Sequence, residues 1–175
     1  MSDAPKPSSF YAPSDFPAAE RFTKTLLARF DELRDDGVRD LFAGRFKDWP
    51  EPINRGGWSV HGSKWQGQII NPALVLSGLV ADPLIWNAGY SFMAPGASIA
   101  PHSGYTSDVL RLHLGLVCPE GDCALRVGQD VRHWRNGEFL LFDDMDNHEA
   151  WNRTAKGRLV LIMDLRREHM KTEEG

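Results

Sequence analysis

Only two cysteines occur in the 175 residues, which is too few for a disulfide framework. They cannot build a structural zinc site alone, since such sites want four ligands. Cys118 and Cys123 bracket the turn sequence Pro119-Glu120-Gly121-Asp122 and read as two free thiols flanking a hairpin. The alternative, a local disulfide, would be unusual in a reducing compartment. No long hydrophobic run is present. The longest, residues 69 to 81, is broken by Asn71 and Ser77 and is too short to span a bilayer. The first twenty residues lack the apolar core of a secretory signal. No basic block stands out, and 24 acidic against 20 basic residues give a net charge of −4, which argues against nucleic acid or an anionic membrane as partner. A soluble, cytoplasmic protein without a membrane anchor is the expectation.

What is present is ordinary for a globular chain, with 42% hydrophobic and 25% charged residues, enough for one domain with a respectable core. Residues 1 to 14, rich in Pro, Ser and Ala, read as a flexible lead, and residues 15 to 175 as a single domain. Asp15 and Pro17 signal a helix start. Phe22, Leu26, Phe30 and Leu33 then recur at helical spacing, predicting an amphipathic helix from Pro17 to about Arg34, closed by Asp36-Gly37. A second short helix is expected over Val38 to Phe46.

Beyond Gly56 the chain changes to short β segments between turns. Strands are expected over Trp58 to Trp65, Trp86 to Met93, Ala124 to Val127, Val131 to Trp134, Glu138 to Phe142, Ala150 to Asn152 and Leu159 to Leu165. Ala73 to Val80 is helix or strand. The clearest alternation places Leu110, Leu112, Leu114 and Leu116 on one face and Arg111, His113, Gly115 and Val117 on the other. That second face fits either a solvated edge or a polar pocket inside a barrel. The tail from Arg166 is charged and expected to fray. Many short strands with Gly and Pro turns predict a mainly β fold, an antiparallel sandwich or jelly roll.

Of six histidines, His102 and His148 stand out, each near a turn and separated by the strands of a barrel. Such a pair suits non-haem iron, whose usual set is two histidines and one carboxylate with open positions. The carboxylate would stand two residues after the first histidine, where this chain has Gly104. Asp144 is placed to orient a bound water near the metal, or is an ordinary turn aspartate. Arg158 heads an apolar strand, and is either a rim residue or a planar donor for a carboxylate. Arg111 and His113 could complete a pocket for a small acid. His61, His133 and His169 carry no functional expectation. Composition and spacing alone lead to an all-β domain with a candidate metal site.

Taken together, Tyr90-Ser91-Phe92-Met93-Ala94-Pro95-Gly96, Pro101-His102-Ser103-Gly104, Leu110-Arg111-Leu112-His113-Leu114-Gly115-Leu116, Leu141-Phe142-Asp143-Asp144 with His148-Glu149, and Arg158 on a strand ending in Asp164 resemble the aspartyl/asparaginyl β-hydroxylase family. The resemblance covers about half the chain. It implies an Fe(II)- and 2-oxoglutarate-dependent dioxygenase, consuming O2, on a double-stranded β-helix with N-terminal helices packed on the sheet. It implies His102 and His148 as iron ligands, with glycine at the carboxylate position as a family trait. Arg158 would bind the distal carboxylate of 2-oxoglutarate, with Ser91, Met93, Arg111 and His113 completing that pocket and Asp144 near the metal. Animal members carry a membrane anchor and a helical-repeat region, and neither is expected here. The expected substrate is therefore broader than theirs: an aspartyl/asparaginyl-type or related amino-acid-derived group, whether a free small molecule, a peptide, carrier-bound or on a lipid. A halogenase and a non-catalytic metal-binding barrel are the rival expectations.

Overall fold

The computed structural model describes residues 8–171. The chain enters through β1 (Phe10–Tyr11) and a 3-10 turn at Pro13–Asp15, followed by α1 (Pro17–Ala28) and α2 (Phe30–Phe42). Then come β2 (Lys47–Asp48), β3 (Trp58–Trp65), β4 (Gln68–Ile69), α3 (Val75–Leu79), β5 (Ile85–Met93), β6 (Ser98–His102) and β7 (Val109–Val117). The barrel finishes with β8 (Cys123–Val127), β9 (Asp130–His133), β10 (Phe139–Phe142), β11 (His148–Asn152), β12 (Arg158–Arg166) and the short α4 (Arg167–Met170). Among the described residues the strands form two antiparallel sheets. The larger runs β1-β10-β7-β12-β5-β3-β2, with β4 on β3, and the smaller runs β6-β11-β8-β9.

Side-chain alternation divides the interior in two. From β12, Leu159, Leu161, Met163 and Leu165 join Leu110, Leu112, Leu114 and Leu116 of β7 in a core beneath the helices, together with Phe22 and Leu26 of α1 and Leu33 of α2. The opposite face of the same sheet meets the smaller sheet in a second cluster that includes Trp58, Met93, Leu125, Trp134, Phe142 and Val160. The leucine face of β7 therefore points to the helices, and Arg111 and His113 point between the sheets. A strand pattern with a greasy side and a polar side here encloses a polar pocket, because a second sheet covers the polar side.

Several boundaries differ from the periodicity. The expected first helix is two helices, with the break at Arg29, whose N–H reaches back to the carbonyls of Leu26 and Leu27. Asp36-Gly37 does not end a helix; both residues are buried inside α2. Glycine is needed there for close approach, since a Cβ at Gly37 would lie 2.7 Å from the Tyr90 ring. Asp36 is equally tied, accepting the Tyr90 hydroxyl at 2.7 Å and the Val75 N–H at 3.0 Å. The second expected helix is the end of α2. Of the stretch from Ala73 to Val80, Val75–Leu79 forms helix α3. The lead is structured from residue 8 onward, because Phe10 and Tyr11 pair with Phe142 and Leu141; residues 1–7 lie outside the described residues. The tail folds into α4 with Met170 buried. No described helix is long and apolar enough to cross a membrane.

Candidate active site

His102 closes β6, a strand that periodicity missed, and His148 opens β11. The two strands pair in antiparallel register with these residues directly opposite. Cross-strand partners on one face bring side chains together, and the two ring centroids are 4.2 Å apart. Each ring is oriented by its own backbone: His102 Nδ1 lies 2.7 Å from the Ala100 carbonyl, and His148 Nδ1 lies 2.8 Å from the Asp146 carbonyl. A carbonyl only accepts, so both Nδ1 atoms carry the proton and both Nε2 atoms keep a lone pair, the tautomer a metal ligand requires. Burial pulls the His148 imidazole down to about 4, which keeps it neutral. Phe142 packs edge-on against it, centroid to centroid 5.5 Å.

No group of three or more His, Cys, Asp or Glu side chains suited to a metal converges among the described residues. Gly104 shows why the third ligand is missing. A Cβ built there would stand 2.5 Å from Asp144 Cγ, so the Asp144 carboxyl group already fills the space a side chain at 104 would enter. The Gly104 N–H also donates to the Asp144 carbonyl at 2.6 Å, locking the two loops together. Asp144 is 4% exposed, and its Oδ1 is buried without a partner. Burial pushes its carboxyl above the usual range, against the pull of the Arg111 guanidinium 3.2 Å from Oδ2. Arg111 is thus not a free donor for a ligand. It also binds Asp164 at 2.8 and 3.3 Å, and Asn87 holds Asp164 from the other side at 2.9 Å.

Arg158 lies deeper. Far from the rim, it is 1% exposed, with its guanidinium 4.3 Å from the centre of the Trp134 ring. Its Nη2 donates to Ser91 Oγ at 2.9 Å, and its Nε has no partner. Burial lowers the guanidinium to about 10, still cationic at neutral pH, and no carboxylate pairs with it among the described residues. Ser91 Oγ also accepts the Trp58 indole N–H at 3.0 Å. With both lone pairs taken, its own O–H is left to donate. His113 completes the set. Its Nδ1 accepts the Trp134 indole N–H at 3.1 Å, and burial keeps the ring neutral, so Nε2 bears the proton, buried and unpartnered. Arg158, Ser91 and His113 therefore line one small cavity, and Arg158 Nε and His113 Nε2 are buried donors without an acceptor. Met93, in register with Arg158 across β12 and β5, is fully buried in the apolar cluster beside this cavity and does not line it.

Two cavities meet here. The inner one, about 40 Å³, has room for a few waters. The outer one, about 780 Å³, opens toward β2, β3 and the loop after β6. Both are lined by Trp58, His102, Arg111 and Ile162, so a ligand anchored at Arg158 can extend past His102 into the larger space. His61 also lines the outer cavity, where it bonds Asp40 at 2.9 Å and stacks on Phe46.

The fold is a double-stranded β-helix in which two histidines face each other beside a small inner cavity. The same overall fold occurs in a prolyl-4-hydroxylase from Pseudomonas putida, which aligns with a TM-score of 0.58 and 16% identity over 79% of this chain and 87% of that one. The chain belongs to the aspartyl/asparaginyl beta-hydroxylase family, whose model matches residues 72–168. It is 46% identical over 84 residues to the ornithine lipid ester-linked acyl 2-hydroxylase of Rhizobium tropici, covering 47% of this chain and 30% of that protein. It is 43% identical over 76 residues to the mouse aspartyl/asparaginyl beta-hydroxylase, covering 43% of this chain and 10% of that protein. The match thus spans under a third of either relative's length.

Proposed function

We propose that this chain is an Fe(II)- and 2-oxoglutarate-dependent hydroxylase acting on an amino-acid-derived substrate. The observation that carries it is the pairing of two unprotonated Nε2 atoms with a buried, unpaired guanidinium. A buried cation without a counter-ion is costly, and a guanidinium matches a carboxylate with a planar fork of donors. The donor set is complete for one carboxylate: Arg158 Nε–H, Ser91 O–H and His113 Nε2–H. Neutral imidazole suits iron(II), and the two histidines would hold it with positions to spare.

When bound, iron and 2-oxoglutarate would supply the oxygen activation and the reducing electrons, with succinate and CO2 as by-products. The protein's own part is placement. Arg158, Ser91 and His113 take the far carboxylate of the co-substrate. Trp134 and Phe142 exclude water from that end. The backbone carbonyls of Ala100 and Asp146 aim the two imidazoles, and Arg111 holds Asp144 where Gly104 leaves room. The position of Asp144 also favours hydroxylation over halogenation, since a carboxylate crowded against Gly104 would repel a halide there. A non-catalytic barrel would have no use for two buried, unsatisfied donors beside the histidine pair. The test is succinate release with added iron(II) and 2-oxoglutarate, with mass spectrometry of the oxidised product. Absence of 2-oxoglutarate binding to the iron-loaded protein would overturn the proposal.

A further inference from the structure

We infer that Pro101 is a positioning residue, and that it turns His102 into the site by breaking the alternation of β6. The inference rests on the metal role proposed for His102. Ile99 and His102 both line the inner cavity. Residues three apart on a regular strand face opposite ways, so one of the two should point outward. The pairing with β11 shows how both point in. His102 stands opposite His148 and Ile99 opposite Ala150, so three steps along β6 are matched by two along β11. β6 therefore carries one extra residue between Ile99 and His102, a β-bulge of the kind that re-aims a side chain.

Residue chemistry explains why the bulge falls there. Ala100 gives its N–H to the Ile53 carbonyl at 2.8 Å, in the segment that bridges to β6 through Asn54 and Ile99. Strand geometry sends the backbone of the next residue the other way, toward β11, and Pro101 has no N–H to offer. A proline in such a place is accommodated at a bulge. Pro101 is exposed, so its ring fills no core. The bulge also frees a carbonyl. That of Ala100 accepts His102 Nδ1–H at 2.7 Å, just as that of Asp146 accepts His148 Nδ1–H at 2.8 Å. Before His148 the chain is a loop and can turn a carbonyl freely. Before His102 it is a strand, whose carbonyls lie in the sheet while its side chains stand off it. The bulge gives the strand histidine what the loop gives the other.

Pro101→Val supplies the missing N–H on a residue that prefers a regular strand. Long-range proton–nitrogen NMR spectra of the whole, metal-free chain report the tautomer of each imidazole. In the parent, His102 and His148 should both carry the proton on Nδ1. In Pro101→Val the Nε2–H form of His102 should appear, while His148 stays as it was and reports an intact barrel. Zn(II) affinity by isothermal titration should fall about tenfold to a hundredfold, the usual scale when a metal ligand loses its support. Deleting Ala100 removes the extra residue outright and should act in the same direction. Pro101→Ala supplies the N–H with the least bulk and replaces the valine variant if that one fails to fold. An unchanged His102 tautomer with parent-like Zn(II) affinity, in the Pro101 variant and in the deletion, overturns the inference. Zn(II) binding that depends on Pro101, in a chain that releases no succinate when given iron(II) and 2-oxoglutarate, would instead sink the proposed function and leave the positioning role standing.

Discussion

Replacing Gly104 with alanine should unsettle the site through Asp144. The new methyl would sit 2.5 Å from Asp144 Cγ and 2.7 Å from its Oδ1, far inside contact distance. Asp144 has little freedom to yield, being 4% exposed, anchored by its own carbonyl to the Gly104 N–H and drawn toward Arg111. Overpacking of this kind costs roughly 1–3 kcal/mol. For a domain of this size each kcal/mol lowers the melting temperature by about 2–4 °C, so a loss of roughly 2–12 °C is expected by calorimetry. The cause is separable. Asp144→Ala removes the obstructing carboxyl, so Gly104→Ala combined with Asp144→Ala should be more stable than the sum of the two single losses, with a coupling on the order of 0.5–3 kcal/mol. Gly104→Asp, which would bring a third carboxylate toward the metal, meets the same obstruction and should fold less stably rather than simply bind metal more tightly. A melting temperature for Gly104→Ala within about 1 °C of the parent, or strictly additive losses, would refute the steric account.

His102→Ala and His148→Ala should each abolish iron binding and succinate production while circular dichroism stays that of the parent; full turnover by either variant would displace the metal assignment. Arg158→Met should weaken 2-oxoglutarate binding about tenfold to a hundredfold with iron binding retained, and its stability should hold or rise because an unpaired buried cation is removed. Unchanged co-substrate affinity would place the carboxylate elsewhere. Burial pushes the Asp40 carboxyl up, but hydrogen bonds from Arg39 and His61 outweigh it and hold the pKa below the ordinary 3.8. A depressed carboxylate stabilises the fold above its unfolded pKa and loses that contribution as pH falls through the folded value. Urea midpoints of Asp40→Asn should therefore lie below the parent at neutral pH and converge with it below about pH 4; a gap that persists in acid would deny the linkage.

Local pattern carried much of this protein. The two-residue alternation over Leu110 to Val117 gave strand β7, because a strand sends successive side chains to opposite faces whatever it packs against. Short apolar segments between turns also marked β3 and β12 as strands. The expectation that β7's polar face could line a pocket needed the second sheet to be decided. Helical periodicity ran through Phe22, Leu26, Phe30 and Leu33 but could not show the break at Arg29. Nor could it show that Gly37 sits inside a helix, because the reason for that glycine is the ring of Tyr90, 53 residues away in the chain.

The candidate ligands were legible for a similar reason: only certain side chains bind iron or a carboxylate, and the motifs around His102, Gly104, His148 and Arg158 are specific. What those side chains are free to do was decided by tertiary structure alone. Arg111 and Arg158 are the same residue on neighbouring strands. Among the described residues the fold gives Arg111 two carboxylates and gives Arg158 none, so the first is spent on holding the frame. Trp49 carried no signal, since a tryptophan after a lysine and an aspartate resembles any half-buried aromatic; its indole nitrogen is left without a partner where the ring stacks on Trp58. Identity of a group follows from sequence, but whether it is spent or available depends on which distant partners burial brings to it, and a buried donor must find its acceptor or wait for one.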